Sequence, residues 1–256
     1  VSYSQIDMFK KCPLQYKFAY ILKVPVYGKA VFSFGQTVHS TLYEFIRQAN
    51  EGAGRQEGLF GKPQSKQESP SLESLFSIYD KKWIDEWFED KAQKQEYYKL
   101  GKEILKDFHQ KYQKQSPKIV EIGNQLALEQ TFKLKIGDYI LNGRIDRLDK
   151  ADNGVRIIDY KTGAFKEKLE PEDKQQLLIY QIAAEEIFSL DVAELQYYYL
   201  EKGEAVSFLG SEKEKQETKD KILKEISEIE TSDFTATPGW QCQYCDFRDI
   251  CDFRER

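Results

Sequence analysis

Two charged residues, Asp159 and Lys161, interrupt the apolar segment VRIIDYKTG at residues 155–163. Because side chains alternate between the two faces of a strand, both charges share a face with Val155 and Ile157. A buried charge that lacks a partner is costly or changes its ionisation state. The segment therefore needs mutual pairing of the charges, a metal ion or a polar substrate.

A second carboxylate, that of Asp146, is expected opposite Asp159, within one step of register, across the turn at residues 152–154. Two carboxylates a few ångströms apart repel each other unless one is protonated or a cation lies between them, and oxygen ligands suit Mg²⁺ or Mn²⁺. Lys161 is able to orient or deprotonate a water and to stabilise developing negative charge. The combination predicts metal-assisted hydrolysis, most naturally of a phosphodiester.

The same residues also allow a purely structural explanation. Asp159 could form an ion pair inside the sheet, either with Lys161 or with one of the nearby arginines, Arg144 and Arg147. Taken alone, the triplet Asp-Tyr-Lys favours such a pair, so the choice depends on the rest of the sequence.

The segment GRIDRLDKADNGVRIIDYKTG resembles the catalytic meander of the PD-(D/E)XK nuclease superfamily, in particular of its RecB-like branch. The resemblance implies that Asp146, Asp159 and the backbone carbonyl of Tyr160 bind the metal, and that Lys161 serves the attacking water. His39, in FGQTVHSTLYEF, matches the helical histidine of the family, which adds a further metal ligand.

Gln176 and Tyr180, in QLLIY, match the Gln-x-x-x-Tyr motif of the same branch. At positions i and i+4 they share one face of a helix, which could present both to the metal site or to the DNA backbone. A lone histidine on a helix, or a glutamine and a tyrosine at this spacing, is often purely structural. The prediction therefore depends on the ordered coincidence of His, Asp, Asp-x-Lys and Gln-x-x-x-Tyr.

Four cysteines lie at the two ends of the chain: Cys12 near the start, and Cys242, Cys245 and Cys251 in the pattern C-x₂-C-x₅-C. In a cytosolic protein such a compact cluster indicates metal binding rather than disulfides. The ligand type by itself allows either zinc or an iron–sulfur cluster.

The arrangement of these cysteines is similar to the iron–sulfur staple of AddB-type helicase-nucleases and of the CRISPR adaptation exonuclease. The resemblance implies a structural 4Fe-4S cluster that joins the two ends of the nuclease domain, with structural Zn²⁺ as the alternative. A link between positions roughly 230 residues apart closes a very long loop, which constrains the unfolded chain strongly.

The elements that position these residues follow from periodicity and turn signals. Helical spacing covers most of the first 50 residues and the segment 72–115, with a connector at 23–34 and with core contacts expected from Phe76, Trp83, Trp87 and Phe88. The helical N-terminal block is expected to cover one side of a sheet. Strand patterns then occupy 126–136, 139–149 and 155–163 as an antiparallel meander, followed by a helix at 171–190, strands at 193–203 and 204–210, and a charged helix from 211 to about 230.

This order predicts a mixed α/β fold: a restriction-endonuclease-like central mixed sheet with an antiparallel catalytic meander, flanked by helices, with the two termini joined by the metal cluster. We expect a single nuclease domain over residues 1–256, with a mobile insert at about 51–71 that is rich in Gly, Gln, Ser and Lys.

The formal net charge of −5 argues against a wholesale basic surface of the kind that binds nucleic acid by charge alone, but it allows a local basic groove. No apolar run approaches a membrane span, and the N-terminal segment lacks the apolar core of a signal peptide. We therefore expect a soluble, cytoplasmic protein. The sequence has no G-x-x-x-x-G-K-[ST] motif and thus no sign of an ATP motor.

Together these features predict an Mg²⁺- or Mn²⁺-dependent deoxyribonuclease. The resemblance points to an exonuclease on single-stranded DNA or DNA ends in repair, recombination or defence, with a helicase or another recombination protein as partner. The alternative is a non-catalytic DNA-binding or scaffold module that retains the nuclease fold.

Overall fold

The computed structural model describes residues 1–51 and 70–254. The insert predicted to be mobile, at about 51–71, lies outside the described residues except at its two ends. Within the described part of the chain, no helix is long and apolar enough to cross a membrane.

The centre of the fold is a five-stranded mixed sheet in the order β3-β4-β5-β6-β7. Strands β3 to β5 form the predicted antiparallel meander, β6 runs parallel to β5, and β7 is antiparallel to β6. Two further short strands, β1 and β2, pair with each other. The strands are β1 (Glu121–Ile122), β2 (Gln125–Leu126), β3 (Leu128–Ile136), β4 (Tyr139–Ala151), β5 (Gly154–Lys161), β6 (Val192–Tyr199) and β7 (Glu204–Phe208).

The helices start where side chains can satisfy free backbone N–H groups. Ser2 and Ser211 form capping boxes, Asp90 caps a third helix, and Pro171 occupies the first turn of a fourth. The α-helices are α1 (Tyr3–Lys11), α2 (Pro13–Tyr16), α3 (Ala30–Glu51), α4 (Leu72–Lys82), α5 (Lys91–Gln115), α6 (Pro171–Phe188) and α7 (Glu212–Thr231). A π-helical turn follows α2 at Lys17–Ile21, and short 3₁₀ helices lie at Trp240–Tyr244 and Arg248–Ile250.

Helices cover both faces of the sheet, so the predicted mixed α/β fold is confirmed. One face packs on α3, α4 and α5, where Phe45, Leu105 and Phe108 meet Ile158 and Tyr160 of β5. The other face packs on α1, α6 and α7. There the buried side chains include Ile6, Phe9, Leu177, Ile222 and Ile226, which pack with Ile145, Ile157 and Leu195 of the sheet.

Four expectations about the N-terminal half need correction. The N-terminal helices do not all cover one side, because α1 packs on the face opposite to α3. Helix α3 begins at Ala30, inside the predicted connector, and the helical stretch predicted at 72–115 is broken between Lys82 and Lys91. Trp87 lies in this break with a φ of 67° and is 43% exposed, so it is not a core residue. Its ring instead covers the backbone of Gly28.

Candidate active site

The meander brings the two predicted catalytic carboxylates together. The register pairs Arg147 with Ile158, and its next step places Asp146 opposite Asp159. The backbone N–H of Tyr160 donates to Oδ2 of Asp146 at 2.8 Å. Asp146 is therefore fixed by the backbone of the strand that carries Asp159.

Helix α3 brings His39 to the same place. Its Nδ1 atom lies 3.4 Å from Oδ2 of Asp146 and 3.9 Å from Oε1 of Glu129. Burial by itself lowers the pKa of His39, but its contacts with the Asp146 and Glu129 carboxylates outweigh this effect and raise the pKa to about 10. Without a metal, a protonated imidazole thus supplies the positive charge between the two carboxylates.

Glu129 is a site residue that the sequence motifs did not identify. The β3–β4 register pairs Leu128 with Arg147 and Gln130 with Ile145, which leaves Glu129 level with Asp146. No sequence motif marks Glu129, and only the register of β3 against β4 shows its place beside Asp146. Its backbone has a φ of 51°, a left-handed conformation that is costly for a residue with a side chain.

The donor atoms of His39, Glu129 and Asp146 lie within 4.8 Å of one another. Imidazole nitrogen together with carboxylate oxygen is a ligand set that Mn²⁺ and similar divalent ions accept. On the outer side of the group, the Arg144 guanidinium pairs with Glu129 at 2.7 Å. Arg144 therefore does not pair with Asp159.

Asp159 is 3% exposed and lies between Lys161 and Gln176. Its Oδ2 is 2.7 Å from the Lys161 ammonium, yet this buried oxygen accepts no hydrogen bond of acceptable geometry from the described residues. Burial, with a contribution from the charge of Asp146, raises the pKa of Asp159 to about 6. An incompletely satisfied carboxylate oxygen beside a second carboxylate fits a cation site.

Gln176 of α6 connects the remaining predicted residues. It donates to Oδ1 of Asp159 at 3.2 Å and to the Tyr180 hydroxyl at 2.8 Å, and it accepts from Lys161 at 2.9 Å. The Lys161 ammonium also lies 4.6 Å from the centre of the Tyr197 ring. Tyr180 is only 7% exposed and reaches the carboxylates through Gln176.

The opposite face of β5 holds a second ion pair that is separate from the first. Arg147 donates to both carboxylate oxygens of Asp149, at 2.6 and 2.5 Å, and to the Tyr160 hydroxyl at 2.9 Å. All three side chains are buried. Alternation along the strands places Arg147 on the face away from Asp159. Arg147 therefore does not form the ion pair with Asp159 that the structural explanation of the sequence allowed.

A groove of about 1340 Å³ opens beside His39 and Glu129. Helix α3 forms one wall, and residues of β3 and of the β1–β2 hairpin form part of the other, with Arg144 and Thr162 also lining the groove. Among the described residues, the lining of this groove includes His39 and Glu129 of the candidate site, so the site meets solvent at these two side chains.

The four cysteines from the two ends of the chain line one small cavity. The ends are also joined directly, because the Thr237 hydroxyl and the Gln241 amide both donate to the backbone oxygen of Lys11. Among the described residues, no three of the four sulfur atoms lie within 4.8 Å of one another. A tetrahedral zinc ion with Zn–S bonds of about 2.3 Å would bring its sulfurs to roughly 3.8 Å.

One family of known proteins matches nearly the whole sequence. A sequence model of the PD-(D/E)XK nuclease superfamily matches residues 1–252, which include the meander, His39 and all four cysteines. No curated protein matches the sequence. Among solved structures, one described as "Crystal structure of SSO0001" is similar, with 17% identity, a TM-score of 0.34, and coverage of 64% of this chain and 81% of that chain.

Proposed function

The chain belongs to the PD-(D/E)XK nuclease superfamily, and from this premise we propose that it is an Mg²⁺- or Mn²⁺-dependent deoxyribonuclease. The five-stranded mixed sheet with helices on both faces is consistent with the restriction-endonuclease-like fold of that superfamily. The usual chemistry of the superfamily is metal-dependent hydrolysis of phosphodiester bonds, and family membership implies DNA as the substrate.

The metal would be held by His39, Asp146, Asp159 and the backbone carbonyl of Tyr160. The convergence of an imidazole and two carboxylates, one with a buried oxygen that accepts no hydrogen bond, supports this assignment. A bound Mg²⁺ or Mn²⁺ would polarise the scissile phosphate and lower the pKa of a water ligand. Glu129 is a further candidate ligand because its carboxylate lies in the same group.

Lys161 is the residue that would serve the attacking water. Its ammonium is oriented by the Asp159 carboxylate, the Gln176 amide oxygen and the face of the Tyr197 ring. A cation held in this way can hold a water by hydrogen bonding and stabilise the charge that develops on a phosphate oxygen. Gln176 and, through it, Tyr180 act as positioning residues.

The observation that carries the proposal is the position of Lys161 and Asp159 beside Asp146 and His39, in a site that opens into a groove. An isolated structural ion pair needs only Lys161 and Asp159. It does not account for a histidine and two more carboxylates at the same point.

The direct test is digestion of DNA by the unmodified chain and by Asp159→Asn. With Mg²⁺ or Mn²⁺, the unmodified chain is expected to degrade labelled DNA, and Asp159→Asn to lose at least about 100-fold in rate at unchanged thermal stability. Asp138→Asn, in the exposed turn between β3 and β4, is the matched control. Equal rates for all three proteins would disprove the assignment.

The finer substrate preference comes from the RecB-like resemblance: an exonuclease on single-stranded DNA or ends in repair, recombination or defence, working in the cytoplasm with a helicase or another recombination protein. Substrates labelled at the 5′ or the 3′ end separate the two polarities, and circular DNA separates exonuclease from endonuclease action. A chain that binds DNA yet cleaves no substrate would favour the non-catalytic module.

For the cysteines we propose a 4Fe-4S cluster that joins the two ends of a single domain. The single cavity that all four cysteines line, together with the hydrogen bonds from Thr237 and Gln241 to Lys11, supports one shared site for the two ends of the chain. The Gly239 N–H donates to Cys242 Sγ at 3.5 Å, a contact typical of thiolate ligands. A brown anaerobic preparation with four irons per chain is expected; a colourless protein with one zinc would exclude the cluster.

A further inference from the structure

Helix α3 presents a continuous stripe of accessible residues to the groove. Phe32, Gln36, His39, Tyr43 and Arg47 follow one another at intervals of three and four, which places them on one face of the helix. The opposite face of α3 is buried in the core. The accessible stripe therefore forms a wall that runs past His39 in both directions.

Two aromatic rings lie on this wall where polar side chains would be usual. Phe32 is 55% exposed and Tyr43 is 36% exposed, and both line the groove. On a helix that packs against a core, the solvent face is normally polar. The two positions are on the order of 16 Å apart along the helix axis, with His39 between them. Each ring thus offers an open aromatic surface on one side of the candidate metal site.

The charges of the groove are nearly balanced. Arg47, Lys82 and Arg144 line it, but Arg47 pairs with Glu44 and Arg144 pairs with Glu129. A site that bound a duplex mainly through its phosphates would need a surplus of cationic side chains. Here the aromatic rings have to supply much of the binding free energy, and three cations supply the rest.

We propose that this groove binds single-stranded nucleic acid, with unpaired bases stacked on Phe32 and Tyr43 and the backbone between them passing His39. Stacking on an aromatic side chain requires an open base face, which a strand offers and a duplex hides. The path of the strand past His39 rests on the proposed nuclease function, because that function places the metal site there. Its binding step does not depend on catalysis.

The test measures binding separately from cleavage, in the inactive Asp159→Asn chain with its cysteine site loaded as purified. Fluorescence anisotropy compares a labelled single-stranded 12-mer with the blunt duplex of the same sequence. Phe32→Ala and Tyr43→Ala are each expected to weaken strand binding by about tenfold or more. Trp240→Ala removes an aromatic that is 75% exposed outside the groove lining, and it should leave the affinity unchanged.

Salt dependence gives a second, independent measurement. Because the groove has three cations and two of them pair with carboxylates, the logarithm of the binding constant should fall with the logarithm of salt concentration with a slope no steeper than about −2, shallow for a nucleic-acid protein. Unchanged strand affinity in both aromatic variants, or a duplex bound as tightly as the strand, would overturn the groove assignment. Cleavage by the unmodified chain would then still support the nuclease, whereas strand binding that depends on Phe32 and Tyr43 without any cleavage would keep the groove and reject the nuclease.

Discussion

Arg147 donates a hydrogen bond to the hydroxyl of Tyr160 at 2.9 Å, on the face of the sheet opposite to Asp146 and Asp159. The backbone N–H of the same tyrosine donates to Asp146. Tyr160 thus connects a buried ion pair on one face with the candidate metal site on the other. Its backbone carbonyl, a proposed ligand, is positioned both by the contact with Asp146 inside the site and by the contact with Arg147 outside it.

Tyr160→Phe should therefore reduce both stability and metal affinity. Removal of the hydroxyl leaves one N–H of the buried Arg147 guanidinium without a partner, at a cost of about 1–3 kcal/mol. Urea unfolding should show this loss, and titration with Mn²⁺ should show weaker binding. Tyr198→Phe, on the same face of the sheet, is the matched control. If Tyr160→Phe behaved like the control, the network would have no positioning role.

Glu129 gives a prediction in which stability and metal binding change independently. Its left-handed backbone, with φ at 51°, costs about 1–2 kcal/mol for any residue that has a Cβ atom. Glu129→Ala and Glu129→Gly both remove the carboxylate, but only glycine also relieves this strain. Both variants should bind Mn²⁺ more weakly than the unmodified chain.

The glycine variant should also unfold at a higher urea concentration than the alanine variant. Its free energy of unfolding should be larger by about 1 kcal/mol. Equal stability of the two variants would show that the backbone is not strained at this position. Unchanged Mn²⁺ affinity in both would remove Glu129 from the ligand set, whatever the stabilities.

Much of the fold follows from local pattern. The alternating strand patterns and the turns at Gly137-Asp138 and Asp152–Gly154 predict the meander. Pro171 followed by acidic residues predicts the start of α6. These signals are local, so the sequence alone is sufficient for them. The alternation of side chains also places Asp146 beside Asp159 on one face without any structural information.

What sequence pattern could not supply depends on three-dimensional neighbours. Trp87 looks like a core residue, but a positive φ turns its ring onto Gly28. The side of the sheet that α1 occupies depends on the packing of Phe9 and Ile6 against distant helices. Glu129 belongs to no motif, and its importance appears only when the register of a third strand is known.

The raised pKa of His39 predicts how the stability of the metal-free chain depends on pH. The pKa is about 10 in the folded state, against 6.5 for an unperturbed histidine, because two carboxylates hold the proton. This contribution is fully present below pH 6.5 and is lost as the pH rises through about 10. In EDTA, the unfolding free energy should therefore fall over this range, and His39→Gln should flatten the fall. An unaltered profile in His39→Gln would show that the histidine is not held between Asp146 and Glu129.

The cysteine site should contribute stability without contributing to catalysis. A cross-link over roughly 230 residues removes unfolded-state entropy worth about 5 kcal/mol in the chain-entropy model, which corresponds to about 10–20 °C in Tm for a chain of this size. Cys12→Ser should lose the metal and fall in Tm by that order, and Cys251→Ser should match it because both remove one ligand of the same site. Ser227→Ala, at an exposed position of α7 outside that cavity, serves as the control for a surface substitution. The nuclease rate at low temperature should survive in both cysteine variants, since the described residues that line the cysteine cavity include none of the proposed catalytic residues. If Cys12→Ser kept its metal and its Tm while Cys251→Ser lost both, the two termini would not share one site, and the staple would be wrong.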